Sequence, residues 1–139
     1  MGSIYADCEL LNAGEICSAK MGYINKDQVK KVKVKLLVDS DAYMLAINEN
    51  IKIQLNLPKV DEQIGELANG ALQKIDVVGP VEIRFKNRST TCRAVVLPGN
   101  SNMLLGAIPM EDIDVVIDPR KKTISVNPES PYIAKKSLK

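Results

Sequence analysis

The sequence predicts a mainly β domain, barrel-like or a sandwich, and three observations carry that expectation. Apolar and polar residues alternate at a period of two in two clear stretches, Ile4–Leu10 and Val32–Val38, as strands with one buried face require. Turn chemistry recurs between the later apolar runs, at Asn69-Gly70, Gly79-Pro80 and Lys86-Asn87-Arg88, where Gly, Pro and Asn favour hairpins and loops. The chain has 139 residues, 45% hydrophobic and only 4% aromatic, so one domain with a core of Val, Ile, Leu and Ala is expected.

In chain order, Ile4, Ala6, Cys8 and Leu10 form the buried side of a first strand, and Asn12-Ala13-Gly14 turns the chain. A polar stretch leads to the second strand, where Val32, Val34, Leu36 and Val38 interleave with Lys31, Lys33 and Lys35. It closes on three apolar residues before Asp39, as a strand entering the interior does. After the apolar run Tyr43–Ile47, Asn48 is a good N-cap for a short helix from Glu49 to Leu55, closed by Leu57-Pro58. From Glu62 to Leu97 two consecutive hairpins are expected, with Gly79-Pro80 breaking a strand. A loop over Pro98-Gly99-Asn100-Ser101-Asn102 precedes Leu104-Leu105-Gly106 and a short helix near Ile108–Ile113, with Pro109 tolerated in its first turn. A last hairpin joins Asp114–Asp118 to Thr123–Val126, and the segment from Asn127 reads as an edge or a loose arm. The total is eight or nine short strands and two short helices.

Composition excludes much chemistry. The chain has no His, which removes Ser/His/Asp and Cys/His nucleophilic sites and His-ligated metals, and leaves carboxylates as the acid/base groups of any enzyme it could be. Nineteen basic against seventeen acidic residues give a net charge of +2, too weak a field to indicate nucleic acid. The lysines near Lys30, Lys31, Lys33 and Lys35 read as a solvated strand face. Cys8, Cys17 and Cys92 form no CxxC pair, so neither a disulfide framework nor a zinc site is suggested. Glu111, Asp112, Asp114 and Asp118 lack calcium-loop spacing, and neither a metal nor a cofactor is expected. Without a basic segment followed by an apolar run, a membrane-length stretch or a lipidation box, a cytoplasmic location with no membrane partner is expected.

Chemistry concentrates at Leu36-Leu37-Val38-Asp39-Ser40-Asp41-Ala42. A carboxylate at the end of an apolar strand, next to a hydroxyl residue and a turn, is what each half of a carboxylate-dyad hydrolase needs. Read by itself, Asp39-Ser40-Asp41 also fits a polar turn with Asx-type local hydrogen bonds.

The segment resembles the active-site segment of retropepsin-like (clan AA) aspartic peptidases, two apolar residues followed by Asp-Thr/Ser-Gly-Ala. The run from Leu45 to Leu57 is similar to that family's path into a short helix. Leu104-Leu105-Gly106, the helix near Ile108–Ile113 and the hairpin Val115–Pro119 with Lys122-Thr123-Ile124 are similar to its Leu-Leu-Gly, helix and closing hairpin. From about Tyr5 to Pro128 the chain looks like a prokaryotic branch of the family. The resemblance implies a retropepsin-like acid-protease barrel over residues 1–128 with a C-terminal tail at 129–139. It implies Asp39 as the catalytic acid, with Ser40, Asp41 and Ala42 as the active-site loop and Leu104, Leu105 and Gly106 as its support. The hairpin at Asn69 and Gly70 falls where the substrate-covering flap maps. One motif per chain implies a homodimer cleaving a peptide or protein substrate. Asp41 stands where the family has Gly, in a turn that favours a left-handed backbone. The alternative function is therefore a catalytically impaired dimer that binds peptides or proteins.

Overall fold

The computed structural model describes residues 3–66, 69–99, 101–136 and 138. Strands β1 (Tyr5–Asn12) and β2 (Lys31–Val38) run antiparallel, with Tyr5 opposite Leu37 and Leu10 opposite Val32. The period-two reading holds in both: Ala6, Cys8 and Leu10 are buried, while Lys31, Lys33 and Lys35 are exposed. Between them, where a turn and a polar stretch are expected, lie helix α1 (Ala13–Lys20) and a 3-10 turn at Lys26–Gln28. Periodicity misses α1 because the helix buries only Ala13 and so carries almost no apolar stripe. Its start is set by buried Asn12, whose Oδ1 accepts the Glu15 amide at 3.0 Å while Nδ2 donates to the Leu55 carbonyl at 2.9 Å.

Strand β3 (Leu45–Asn48) runs directly into α2 (Glu49–Gln54), and Asn48 caps that helix as expected, its Oδ1 accepting the Ile51 amide at 2.9 Å. Strands β4 (Lys59–Glu66), β5 (Leu72–Phe85) and β6 (Arg88–Leu97) form the two expected hairpins. Gly79-Pro80, read as a break, instead sits inside β5 as a bulge with a cis peptide bond. The one extra residue shifts the register, which bends a strand without ending it. β5 changes neighbour there: Leu72–Val78 pairs with β4, whereas Val81–Arg84 pairs with β1.

The chain continues through β7 (Leu104–Leu105), α3 (Ala107–Ile113) and the hairpin of β8 (Val115–Asp118) with β9 (Thr123–Val126). Asn100, in the expected loop before β7, lies outside the described residues. The expected barrel is corrected by the strand pairing. Seven strands make one mixed sheet in the order β1-β2-β7-β3-β6-β5-β4, while β8 and β9 pair only with each other as a second sheet. A barrel abolishes edges, but among the described residues β4 pairs with β5 alone and keeps a free one. Among the described residues the fold is mainly β with three short α-helices, one more than the two expected.

One apolar core lies between the sheet and helices α2 and α3, with Leu36, Leu45, Ile47, Leu55, Ile83, Leu105 and Ile113 fully buried. Among its described residues the segment after β9 forms no strand, and it is tied down rather than loose. Asn87 Nδ2 donates to the Pro131 carbonyl at 2.8 Å, Arg88 donates to the Ser130 carbonyl, and Asp114 accepts the Lys135 amide at 2.9 Å. These bonds strap residues 127–136 across the β5–β6 turn and the end of α3.

Candidate active site

The position of Asp39 follows from the insertion of β7 between β2 and β3. Leu37 and Val38 lie parallel to Leu104 and Leu105, and Ala46 lies opposite Leu104. The apolar character of both segments drives this, since Leu36 and Leu105 are fully buried and a strand buried on both faces must be apolar throughout. At the point where β2 leaves the sheet, the Asp39 amide still donates to the Leu105 carbonyl at 3.1 Å. The chain then turns at once: the Asp39 carbonyl accepts the Ala42 amide at 3.2 Å, and Asp39 Oδ1 accepts the Asp41 amide at 3.0 Å. The Asx turn and the strand-end carboxylate are thus one structure, in which the local bond orients the half-buried Asp39 carboxyl.

The far side of the loop is held by the start of α3. The amides of Ala107 and Ile108, which have no partner within a helix, donate to the carbonyls of Ala42 and Tyr43 at 2.7 and 3.0 Å. Gly106 makes this approach possible. A Cβ placed on it would stand 2.6 Å from the Tyr43 carbonyl carbon and 2.7 Å from the Met44 amide nitrogen, closer than any side chain tolerates. The expected left-handed strain at Asp41 does not occur. Among the described non-glycine residues, positive φ is confined to Asn56, Lys86, Asp114 and Lys122. Asp41 and Ser40 are exposed, and Ala42 is half-buried.

Above the loop stands the β4–β5 hairpin. Asn69 Oδ1 accepts the Ala71 amide at 3.0 Å and Gly70 takes a φ of 82°, the turn chemistry expected of Asn-Gly. A cleft of about 370 Å³ separates hairpin from loop, its walls including Asp41, Tyr43, Ile64, Glu66, Ile75 and Leu104. Asn69 and Gly70 do not line it; the hairpin contributes through its shaft, Gln63 to Glu66 and Ile75. Nor does Asp39, which sits behind the lining stretch Asp41–Met44. Of the support residues, Leu104 reaches the cleft while Leu105 and Gly106 act from beneath. The β4 residues escape sequence reading, although Ile64, an apolar residue 70% exposed in a polar strand, is a signal that was there to find. A larger cleft of about 590 Å³ lies over β1 and β2, lined by Cys8, Lys33, Lys35 and Arg84, and contains no part of the Asp39 motif.

Neither Asp39 nor Asp41 forms an ion pair among the described residues, whereas Asp7, Asp61 and Asp112 are paired with Lys35, Arg93 and Lys136. The thiols of Cys8 and Cys92 supply no nucleophile here. Burial pushes those of Cys8 and Cys92 up to about 12, where they stay protonated at any working pH. Among the described residues no group of three or more Cys, Asp or Glu side chains is arranged to hold a metal ion. No helix there is long and apolar enough to cross a membrane.

No family model matches the chain, and no curated protein matches it. Among solved structures, the chain is similar to the retroviral protease-like domain of Ddi1 from Leishmania major. Identity is 14% and the TM-score 0.56, over 92% of this chain and 90% of that one. At that identity the likeness extends to the backbone alone, and it does not reach a prokaryotic branch or the Asp at position 41. What is shown is a retropepsin-like, retroviral-protease fold.

Proposed function

We propose that the chain is a retropepsin-like aspartic endopeptidase that works as a homodimer, with one Asp39 from each subunit. The observation that carries this reading is the Asp39 carboxyl itself, oriented by the Asp41 amide at the apolar end of β2 and beside a hairpin-covered cleft. A chain with one such motif supplies half a dyad, and two-fold symmetry supplies the other half. Two adjacent carboxylates share one proton because both cannot ionise cheaply. The ionised one takes a proton from water as that water attacks the scissile carbonyl. The protonated one donates to the carbonyl oxygen, and proton transfer to the amine completes cleavage. The substrate is an extended peptide or protein segment rather than nucleic acid or a membrane. Three free cysteines fit a reducing, cytoplasmic setting.

Asp41 favours a second reading, a dimer of the same fold that binds peptides without cleaving them. Incubating wild type and Asp39→Asn with denatured casein from about pH 3 to about pH 7 separates the two, with products read by mass spectrometry and assembly by light scattering. The peptidase reading expects acid-favoured cleavage that falls at least about 100-fold in Asp39→Asn, from a dimeric protein. Cleavage undiminished in the variant, or a protein that stays monomeric with substrate present, overturns it. Peptide binding without cleavage in both proteins selects the second reading.

A further inference from the structure

The cleft between the Asp39 loop and the β4–β5 hairpin is chemically one-sided. Its lining contains two carboxylates, Asp41 and Glu66, and neither Lys nor Arg. Asp39 stands two residues from Asp41, and none of these three is ion-paired among the described residues. The nearest cations of the hairpin are otherwise placed: Lys59 bridges Glu62 and Asp76, at 3.0 and 3.3 Å, and Lys74 does not line the cleft. The remaining walls are mostly apolar, Tyr43, Ile64, Ile75 and Leu97 among them. Apolar walls leading to an unpaired carboxylate match a side chain with a long aliphatic stem and a cationic head.

We infer that this cleft selects peptides bearing Lys or Arg, the stem lying against Tyr43 and Ile64 and the head meeting Asp41. The inference rests on the reading of the cleft as a peptide-binding site, whether or not cleavage follows. The protein as a whole carries a charge of +2 and so repels cations at long range. A preference for Lys therefore has to arise locally. Asp41 is the specificity-determining residue: it is the exposed carboxylate that the Asp39 loop presents to the cleft.

The test uses Asp39→Asn as a background that binds without turnover. Two short fluorescein-labelled peptides, identical except for a central Lys or Glu, are titrated near neutral pH and read by anisotropy. The Lys peptide is expected to bind about five-fold more tightly, the scale of one partly exposed charge pair. The ratio should shrink between about 20 and about 500 mM NaCl, as screening at these distances requires. Adding Asp41→Asn, which keeps the side-chain shape, should bring the ratio below about two-fold with an unchanged circular dichroism spectrum. Equal binding of the two peptides overturns the inference and leaves the peptide-binding reading standing. A Lys preference undiminished in Asp41→Asn assigns it to the wrong residue and overturns it too. Binding of neither peptide removes the peptide-binding reading, and the inference with it.

Discussion

The floor and the roof of the cleft are built to opposite specifications. The floor, from Asp39 to Met44, is held on one side by β7 and on the other by the first amides of α3, all through backbone hydrogen bonds. The roof is a two-stranded ribbon whose outer strand, β4, is exposed along nearly its whole length and pairs only with β5. A two-stranded ribbon without a packed face is marginal by itself, so the roof depends on the base of β5 and on the exposed Asp61–Arg93 pair to β6. Local stability differs where packing differs. A site that must orient a carboxyl while admitting an extended chain needs this combination of a rigid base and an easily opened cover.

The sharpest way to break this contrast is to add the same methyl group to each part. Gly106→Ala puts a carbon against the backbone of Tyr43 and Met44 and should cost about 3 kcal/mol, or prevent folding outright. Gly70→Ala meets no atom within 4 Å and should cost only about 1 kcal/mol, from its left-handed φ. Denaturant titration compares them, and similar losses would mean that the floor is not the tighter of the two. Hydrogen exchange sharpens the contrast without mutation: amides of β4 should exchange at least about 100-fold faster than those of Ala42 and Ala107. The smallest expected effect concerns the strap that steadies the far end of α3. The Ser130 hydroxyl, then the Lys135 amide and Asn127, hold the Asp114 carboxyl down at about 2, below the ordinary value near 3.9. A depressed folded-state value stabilises above the unfolded value and is lost as pH falls through the folded one. Exchange protection across residues 127–136 should therefore be constant from neutral pH to about pH 4 and fail only near about pH 2. Loss of protection at about pH 5 would show that Asp114 is not the fastening.

Much of this was legible because local rules and the fold agree. β1 and β2 announce themselves by alternation, α2 by its Asn48 cap, and the site loop by the change from Lys-Val alternation to an apolar run ending at Asp39. The Leu-Leu-Gly and helix motifs, read in that order, do lie against the loop that follows β2. What stayed hidden depends on distant partners. α1 is anchored by Asn12 contacting Leu55, forty-three residues away, and the strap by Asn87 contacting Pro131, forty-four away; no window of sequence contains either pair. Gly79-Pro80 reads as a break because Pro lacks an amide, and only the partner change of β5 reveals a bulge. The expected barrel failed for a related reason: local patterns identify strands, but not that β5 divides its edge between β1 and β4.

Every bond that shapes the floor, apart from the single Asp39 Oδ1 contact, joins main chain to main chain. The frame is therefore largely indifferent to the side chains it displays at positions 40 and 41, which are exposed. Natural drift or laboratory diversification can exchange those two residues while the scaffold persists, so the chemical character of the opening can change without a new architecture having to arise. Gly106, buried beneath and contributing no functional group, is the position where such freedom ends.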